Sequence, residues 1–228
     1  MLLCSGGPGL ADYLQPVADM ITDMVRVIRF DPRGCGRSDA PGVYTLNTWF
    51  EDVEAIRRFY QLERWIVGGH SAGADLALFY ALGCPQSTSG IVCLSGGRIS
   101  DDRQWHAQYR RLQATEEIPA TAYPVNRDVN EQMNRDWKQY IHRPTLLREL
   151  ARTQIPALFL YGEQDIRPSW PVEQVAALMP RARFVMVPDA PHLLWPAQPE
   201  AVQTHLRSFL WEQVAEQEGQ SNKAPGNC

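Results

Sequence analysis

A serine stands between two glycines in the run V-G-G-H-S-A-G, residues 67–73, at the spacing G-x-S-x-G. Ser71 lies where a short apolar run, 65–67, gives way to a small-residue helical pattern from Ala72 onward. A sharp turn from strand into helix holds its central residue in a strained backbone conformation and pushes the side chain beyond the sheet. The positions two before and two after must then be small to avoid collision. The N-terminus of the following helix favours negative charge at the same place. A serine hydroxyl attacks a carbonyl only when a base takes its proton and a third group orients that base. The spacing therefore predicts acyl transfer at Ser71, against the plainer reading of a tight glycine turn carrying a passive hydroxyl.

The base must be one of five histidines. His70 adjoins the serine, so its side chain points elsewhere on the turn. His106 and His142 fall in a polar stretch, and His205 sits in the last amphipathic helix, read as lying on its solvated side. His192 follows the final apolar run in a Pro-containing loop, F-V-M-V-P-D-A-P-H-L-L-W, of the kind that carries catalytic groups at a sheet edge. The orienting acid is expected from another such loop. Asp165, in L-Y-G-E-Q-D-I-R-P, follows the run 157–161 and completes the order serine, acid, histidine. Glu163 competes with it, being nearer the strand end, and Asp189 reads as a turn carboxylate capping local amides.

A glycine-rich turn, C-S-G-G-P-G at 4–9, follows the first apolar run. Exposed backbone N–H groups there can stabilise charge developing on a carbonyl oxygen, and Gly7 and Ala72 are the expected donors. It is not a phosphate loop, because no G-K-[ST] follows and Pro8 lacks a donor. In D-P-R-G-C-G-R-S-D, 31–39, the glycines fail the dinucleotide spacing, and Asp31 with Arg33 is read as an ion pair shaping the loop. Cys35, with no helix N-terminus or histidine beside it, is not expected to act as a thiolate.

These residues need a scaffold. Apolar runs at 1–4, 25–30, 65–67, 91–94, 157–161 and 184–187 are mostly continuous, as strands buried on both faces are. Between them lie helical patterns at 49–60, 72–82, 172–179 and 201–214. The last places Val202, Leu206, Phe209, Leu210 and Val214 on one stripe. Alternation of strand and helix predicts an α/β fold, a mostly parallel sheet covered on both faces. Residues 100–150 contain no strand-like run and carry Trp105, Tyr109, Tyr123, Trp137 and Tyr140, which predicts a helical insertion, a lid over the carboxyl edge of the sheet. The expected organisation is a core at 1–99 and 151–214, the lid at 100–150 and a disordered tail at 215–228.

The 228 residues carry 22 basic and 26 acidic side chains, a formal charge of −4, with 44% hydrophobic and 21% charged residues. That composition excludes a mainly disordered chain and a fibrous repeat, and gives no basic footprint for nucleic acid. No stretch of 18 apolar residues suggests a membrane span. Five cysteines without a C-x-x-C pair predict neither a disulfide framework nor a zinc site, so a cytoplasmic protein without cofactor or metal is expected.

Taken together, the motifs resemble those of proline iminopeptidases and related α/β-hydrolases. S-G-G-P-G is similar to the H-G-G-P-G turn of that group, with Ser5 in place of the usual histidine. D-P-R-G-C-G-R-S resembles its D-Q-R-G-C-G-R-S loop, G-H-S-A-G its nucleophile elbow, Y-G-E-Q-D-I-R-P its acid loop and P-H-L-L-W its histidine loop. The resemblance implies the α/β-hydrolase fold with Ser71, Asp165 and His192 as triad and Gly7 and Ala72 as oxyanion donors. It also implies that the chain begins at what resembles the third strand of the family. The run 25–30 would then be a sheet edge, paired with a second copy or followed upstream by an earlier start. True proline iminopeptidases hold the substrate's amino group with lid carboxylates. Asp101, Asp102, Glu116, Glu117, Asp128, Glu131 and Asp136 are available here, none mapped to that role. The expected activity is serine hydrolysis of a small ester or amide through an acyl-enzyme. Proline iminopeptidase action, carbon–carbon bond hydrolysis or lyase chemistry with the same triad, and a non-catalytic ligand-binding protein on the same fold are the alternatives.

Overall fold

Six strands form one sheet: β1 (Leu2–Cys4), β2 (Ile28–Arg29), β3 (Trp65–His70), β4 (Thr88–Leu94), β5 (Ala157–Gly162) and β6 (Ala182–Val187). They belong to a computed structural model that describes residues 1–39, 42–100 and 102–221. Every neighbouring pair is parallel, in the order β2-β1-β3-β4-β5-β6. The chain moves outward from β1 to β2, then crosses back to place β3 on the other side of β1. That reversal opens a crevice at the carboxyl ends of β1 and β3, where ligands bind in open α/β sheets. The glycine turn leaves β1 at that crevice, and Ser71 leaves β3 beside it.

Helices α1 (Gln15–Asp19), α2 (Leu46–Phe59), α3 (Ala72–Gly83) and α7 (Trp170–Leu178), with α8 (Leu194–Ala197) and α9 (Pro199–Ser221), flank the sheet. Successive strand residues face opposite sides. Leu2, Val67, Cys93 and Phe159 join Trp49, Phe79 and Val175 in one core. Leu3, Ile66, Val92 and Leu158 join Val17, Leu194, Leu206 and Phe209 in the other. Each fully buried Leu, Ile or Phe contributes about 1.5–3 kcal/mol to holding a helix on the sheet. This two-sided burial is why the strands read as unbroken apolar runs. Three further helices connect β4 to β5: α4 (Arg103–Leu112), α5 (Arg127–Ile141) and α6 (Leu146–Arg152). Asp102 caps α4 by accepting from the Gln104 and Trp105 amides at 2.7 and 3.1 Å, and Asn126 caps α5 in the same way.

Several boundaries differ from the sequence expectation. The edge strand β2 is two residues long, Ile28 and Arg29 pairing with Leu2 and Leu3, where the apolar run predicted six. Helix α2 starts earlier than position 49, since Thr45 and Thr48 form a reciprocal capping box. Helices α1 and α8 are too short to show a period. Val214 is 37% exposed instead of completing the apolar stripe, while Gln213 is buried. Helix α9 runs past Ala215 to Ser221, into the stretch expected to be a tail, and residues 222–228 lie outside those described. Asp31 and Arg33 do not pair with each other. Asp31 accepts from Arg37 Nε at 2.7 Å, and Arg33 Nε donates to Asp52 at 2.8 Å.

Candidate active site

The turn after β3 has the geometry that the glycine spacing demands. Ser71 sits at φ 55°, ψ −123°, and its N–H donates to the Leu94 carbonyl at 2.8 Å. A non-glycine residue held there stores strain of about 1–3 kcal/mol, tolerated because the sheet and helix on either side leave no alternative path. A Cβ at Gly69 would fall 2.3 Å from Gly73 O, and one at Gly73 would fall 2.1 Å from Cys4 O. Both glycines are therefore required by contact, the first within the turn, the second against β1.

Asp165 and His192 are brought together from the loops after β5 and β6. His192 Nδ1 and Asp165 Oδ2 are 2.6 Å apart, with both residues buried. The other carboxylate oxygen, Oδ1, accepts from the Arg167 backbone N–H at 2.9 Å and from Arg167 Nη1 at 3.4 Å. Asp165 is thus held at both oxygens, one fixing its loop and one orienting the imidazole. Glu163 is directed elsewhere: its Oε2 accepts from the Asp189 N–H at 3.2 Å. Asp189 has φ 55° and accepts from Gln164 Nε2 through its own carboxylate, a local turn role.

Ser71, Ala72 and Gly7 line one cavity of about 390 Å³. Among the described residues no hydrogen bond joins Ser71 Oγ to His192 Nε2. The carboxylate of Glu116 lies 4.0 Å from that nitrogen. Gly6, one residue before the expected donor, spends its N–H on Tyr13 Oη at 2.7 Å. Among the described residues no hydrogen bond is donated by the Gly7 or Ala72 amide. Ser5, in the place of the family's histidine, donates to Asp12 Oδ1 at 3.2 Å. Cys35 is buried and its thiol is pushed up to about 11, chiefly by burial, in keeping with an inert residue.

Two supporting groups were not legible in the motifs. The first is His70. Tyr13 Oη meets His70 Nδ1 at 2.7 Å, and His70 Nε2 lies 3.0 Å from the carbonyl of His192. Burial foremost, then the charges of His192 and Arg167, hold His70 well below its ordinary value, against the pull of that carbonyl. The neutral ring donates from Nε2 and accepts the Tyr13 hydroxyl proton at Nδ1. One chain of hydrogen bonds thereby ties the glycine turn, the elbow and the histidine loop. The unfolded chain takes up a proton near pH 6.5 that the folded chain refuses, so this contribution is complete above pH 6.5 and falls as pH drops toward the folded value. Below pH 6.5 wild type is expected to lose up to about 1.4 kcal/mol per pH unit from this group, and His70→Gln to show a shallower decline. Urea midpoints of both chains between pH 7 and 5 would check this, and parallel curves would refute it.

The second is the pair Glu116–Arg167. Arg167 Nη2 meets Glu116 Oε1 at 2.6 Å, with side chains only 13% and 12% exposed, and the guanidinium lies 4.6 Å from the Tyr109 ring centre. Of the acidic residues between β4 and β5 that the sequence offered, Glu116 reaches the histidine. Asp102 caps α4, and Asp136 accepts from the Leu46 N–H at 2.6 Å. Asp101 lies outside the described residues. The signal for Arg167 is its place two positions after Asp165; Glu116 is named in the sequence only as one of seven acids, none mapped to a role.

A parallel sheet with this strand order, a strained serine at the crevice and a carboxylate–imidazole pair across from it define a class, and the comparison of the sequence agrees. The alpha/beta hydrolase fold family matches over residues 1–140, and the chain belongs to it. Within that class it is 37% identical over 119 residues to the proline iminopeptidase of Saccharolobus solfataricus, covering 50% of this chain and 37% of that protein. It is 32% identical over 119 residues to the proline iminopeptidase of Lactobacillus helveticus, covering 49% and 40%. The chain thus spans about two fifths of the length of these curated relatives. Among solved structures it superposes on a thermophilic esterase from Thermogutta terrifontis with TM-score 0.75 and 23% identity, over 93% of this chain and 89% of that one. For E-2-(acetamidomethylene)succinate hydrolase the values are 0.73 and 19%, over 92% and 90%. At those identities the likeness is one of fold. Among the described residues no helix is long and apolar enough to cross a membrane.

Proposed function

We propose that the chain is a serine hydrolase cleaving a small carboxylic ester or amide. The observation that carries this is the 2.6 Å bond between His192 Nδ1 and Asp165 Oδ2, with the His192 ring centre 4.6 Å from that of His70, the residue before Ser71 in the strained elbow. In this reading Ser71 Oγ attacks the carbonyl carbon while His192 Nε2 takes the hydroxyl proton. Asp165 stabilises the imidazolium, and the Gly7 and Ala72 N–H groups hold the oxyanion. The bond to the leaving oxygen or nitrogen then breaks, and that atom receives the proton from Nε2. A water molecule, deprotonated by the same nitrogen, adds to the acyl-enzyme and releases the acid and the free serine.

The relatives' names favour a second reading, an aminopeptidase acting on N-terminal proline. Such a substrate brings an ammonium group and needs a carboxylate to receive it. Glu116, beside His192, already has its charge matched by Arg167 at 2.6 Å, and Asp75 on the cavity wall accepts from the Gly97 and Arg98 amides with the Arg98 charge near it. We therefore rank the small carboxylic ester or amide first. An assay of 4-nitrophenyl acyl esters beside prolyl 4-nitroanilide separates the two, and turnover of the anilide alone would reverse the order. A fluorophosphonate probe separates both from a ligand-binding protein, which would not be labelled faster than its Ser71→Ala variant.

A further inference from the structure

The cavity that Ser71 lines also takes in Arg98, Trp105, Trp137, Ser95 and the acid Asp75. Arg98 leaves the loop after β4, and its guanidinium carbon lies 4.0 Å from the Trp105 ring centre and 4.3 Å from that of Trp137. Two indole faces fix a guanidinium while leaving its in-plane N–H groups directed outward. Among the described residues its one acceptor is the Ser100 carbonyl, 2.6 Å from Nη1. Around it stand buried polar atoms with no partner: Trp105 Nε1, Trp137 Nε1 and Ser95 Oγ. All four side chains line the cavity together with Ser71. Trp137 Nε1 is close enough to Asp75 to help hold its carboxylate down, yet short of hydrogen-bond geometry.

An indole N–H only donates, and a guanidinium only donates. A guanidinium clamped between two rings in a cavity, with one hydrogen-bonded acceptor, has N–H groups left for a ligand that accepts. Asp75 is the acid on this wall. Its Oδ1 is occupied by the Gly97 and Arg98 amides at 2.7 and 3.0 Å, and burial pushes it up to about 6, against the lowering by Arg98. It compensates the Arg98 charge in part, while the guanidinium keeps the Ser100 carbonyl as its one hydrogen-bonded acceptor among the described residues.

We propose that Arg98, held between Trp105 and Trp137 with Ser95 beside it, forms a subsite for a carboxylate, so that the preferred substrate carries an anionic carboxylate remote from the scissile carbonyl. The inference rests on the serine-hydrolase reading for the cleavage step and on Arg98 alone for binding. A carboxylate accepts two parallel N–H bonds from one guanidinium.

The test pairs 4-nitrophenyl monoesters of adipic, pimelic and suberic acids with the 4-nitrophenyl esters of the monoacids of equal chain length. At least one diacid monoester is expected to exceed its neutral counterpart in kcat/KM by about tenfold or more, mostly through KM. Arg98→Gln is expected to collapse that ratio toward one, and Arg98→Lys to restore part of it. Neutral esters turned over as well as their acidic counterparts at every length, or a preference unchanged in Arg98→Gln, would overturn the subsite. Should Arg98→Gln not fold, the wild-type ratio decides. Should neither ester be cleaved and fluorophosphonate leave Ser71 unlabelled, the hydrolase reading falls. Calorimetric titration with adipate against adipamide then decides the subsite alone: tighter binding of the dianion upholds it, and equal binding ends it.

Discussion

Ser71→Ala is expected to lower turnover of a 4-nitrophenyl ester by about four to six orders of magnitude, the scale on which removal of a triad nucleophile acts. It is also expected to abolish covalent labelling by a fluorophosphonate. The same change should leave thermal stability nearly untouched. The Oγ atom makes no hydrogen bond among the described residues, so nothing buried is left unpaired. Alanine at φ 55° inherits the strain that serine already bears. That separation of activity from stability makes Ser71 the cleanest position to probe. Asp165 is not equivalent, because its Oδ1 also fastens the Arg167 amide at 2.9 Å, and Asp165→Asn would disturb the loop along with the imidazole. Ester turnover in Ser71→Ala within tenfold of wild type would place the nucleophile elsewhere and remove the proposed function.

How far the site was legible depends on whether a residue's role is written into its neighbours. The elbow was, because contact at Gly69 and Gly73 permits nothing larger and the spacing follows from the turn itself. Asp165 and His192 were, because each stands just past an apolar run, and runs buried on both faces announce parallel strands whose carboxyl ends share one edge. Arg33 was not: its partner Asp52 comes from α2, whose register against the loop at 31–39 no local pattern encodes. The contacts of Glu116, one of seven candidate acids, and of His70, read as pointing away from the serine, were not legible for the same reason. One reaches Arg167 from the segment between β4 and β5, and the other reaches Tyr13 from 57 positions away, through packing that forms only when the whole sheet does. The indole pair around Arg98 belongs with these. The aromatic residues between positions 100 and 150 were visible as a composition, but their convergence on one guanidinium depends on how α4 and α5 lie over the crevice.

Gly73→Ala carries the second large expectation, and it tests the fold and the chemistry at once. Position 73 is the second residue of α3, where alanine would ordinarily be favoured over glycine by about 1 kcal/mol. The added methyl would meet Cys4 O at 2.1 Å and Ser5 O at 2.5 Å. Both are backbone atoms of β1 and its turn, so no side-chain rotation relieves the clash, and β1 must separate from α3. Those two elements carry the expected oxyanion donors, Gly7 on one and Ala72 on the other, and moving them apart by about 1 Å is enough to cost on the order of 100-fold in rate. The variant is therefore expected to lose about 3 kcal/mol or more in stability and to react with fluorophosphonate about 100-fold more slowly than wild type. Gly83→Ala, at the other end of α3, provides the comparison. Its methyl would meet only the Phe50 ring, at 3.2 Å, which can yield by a few tenths of an ångström. It should keep wild-type labelling. Urea unfolding and labelling kinetics on both variants would check this contrast, and a Gly73→Ala chain as stable and as reactive as Gly83→Ala would mean that β1 and α3 do not meet at Cys4 as described.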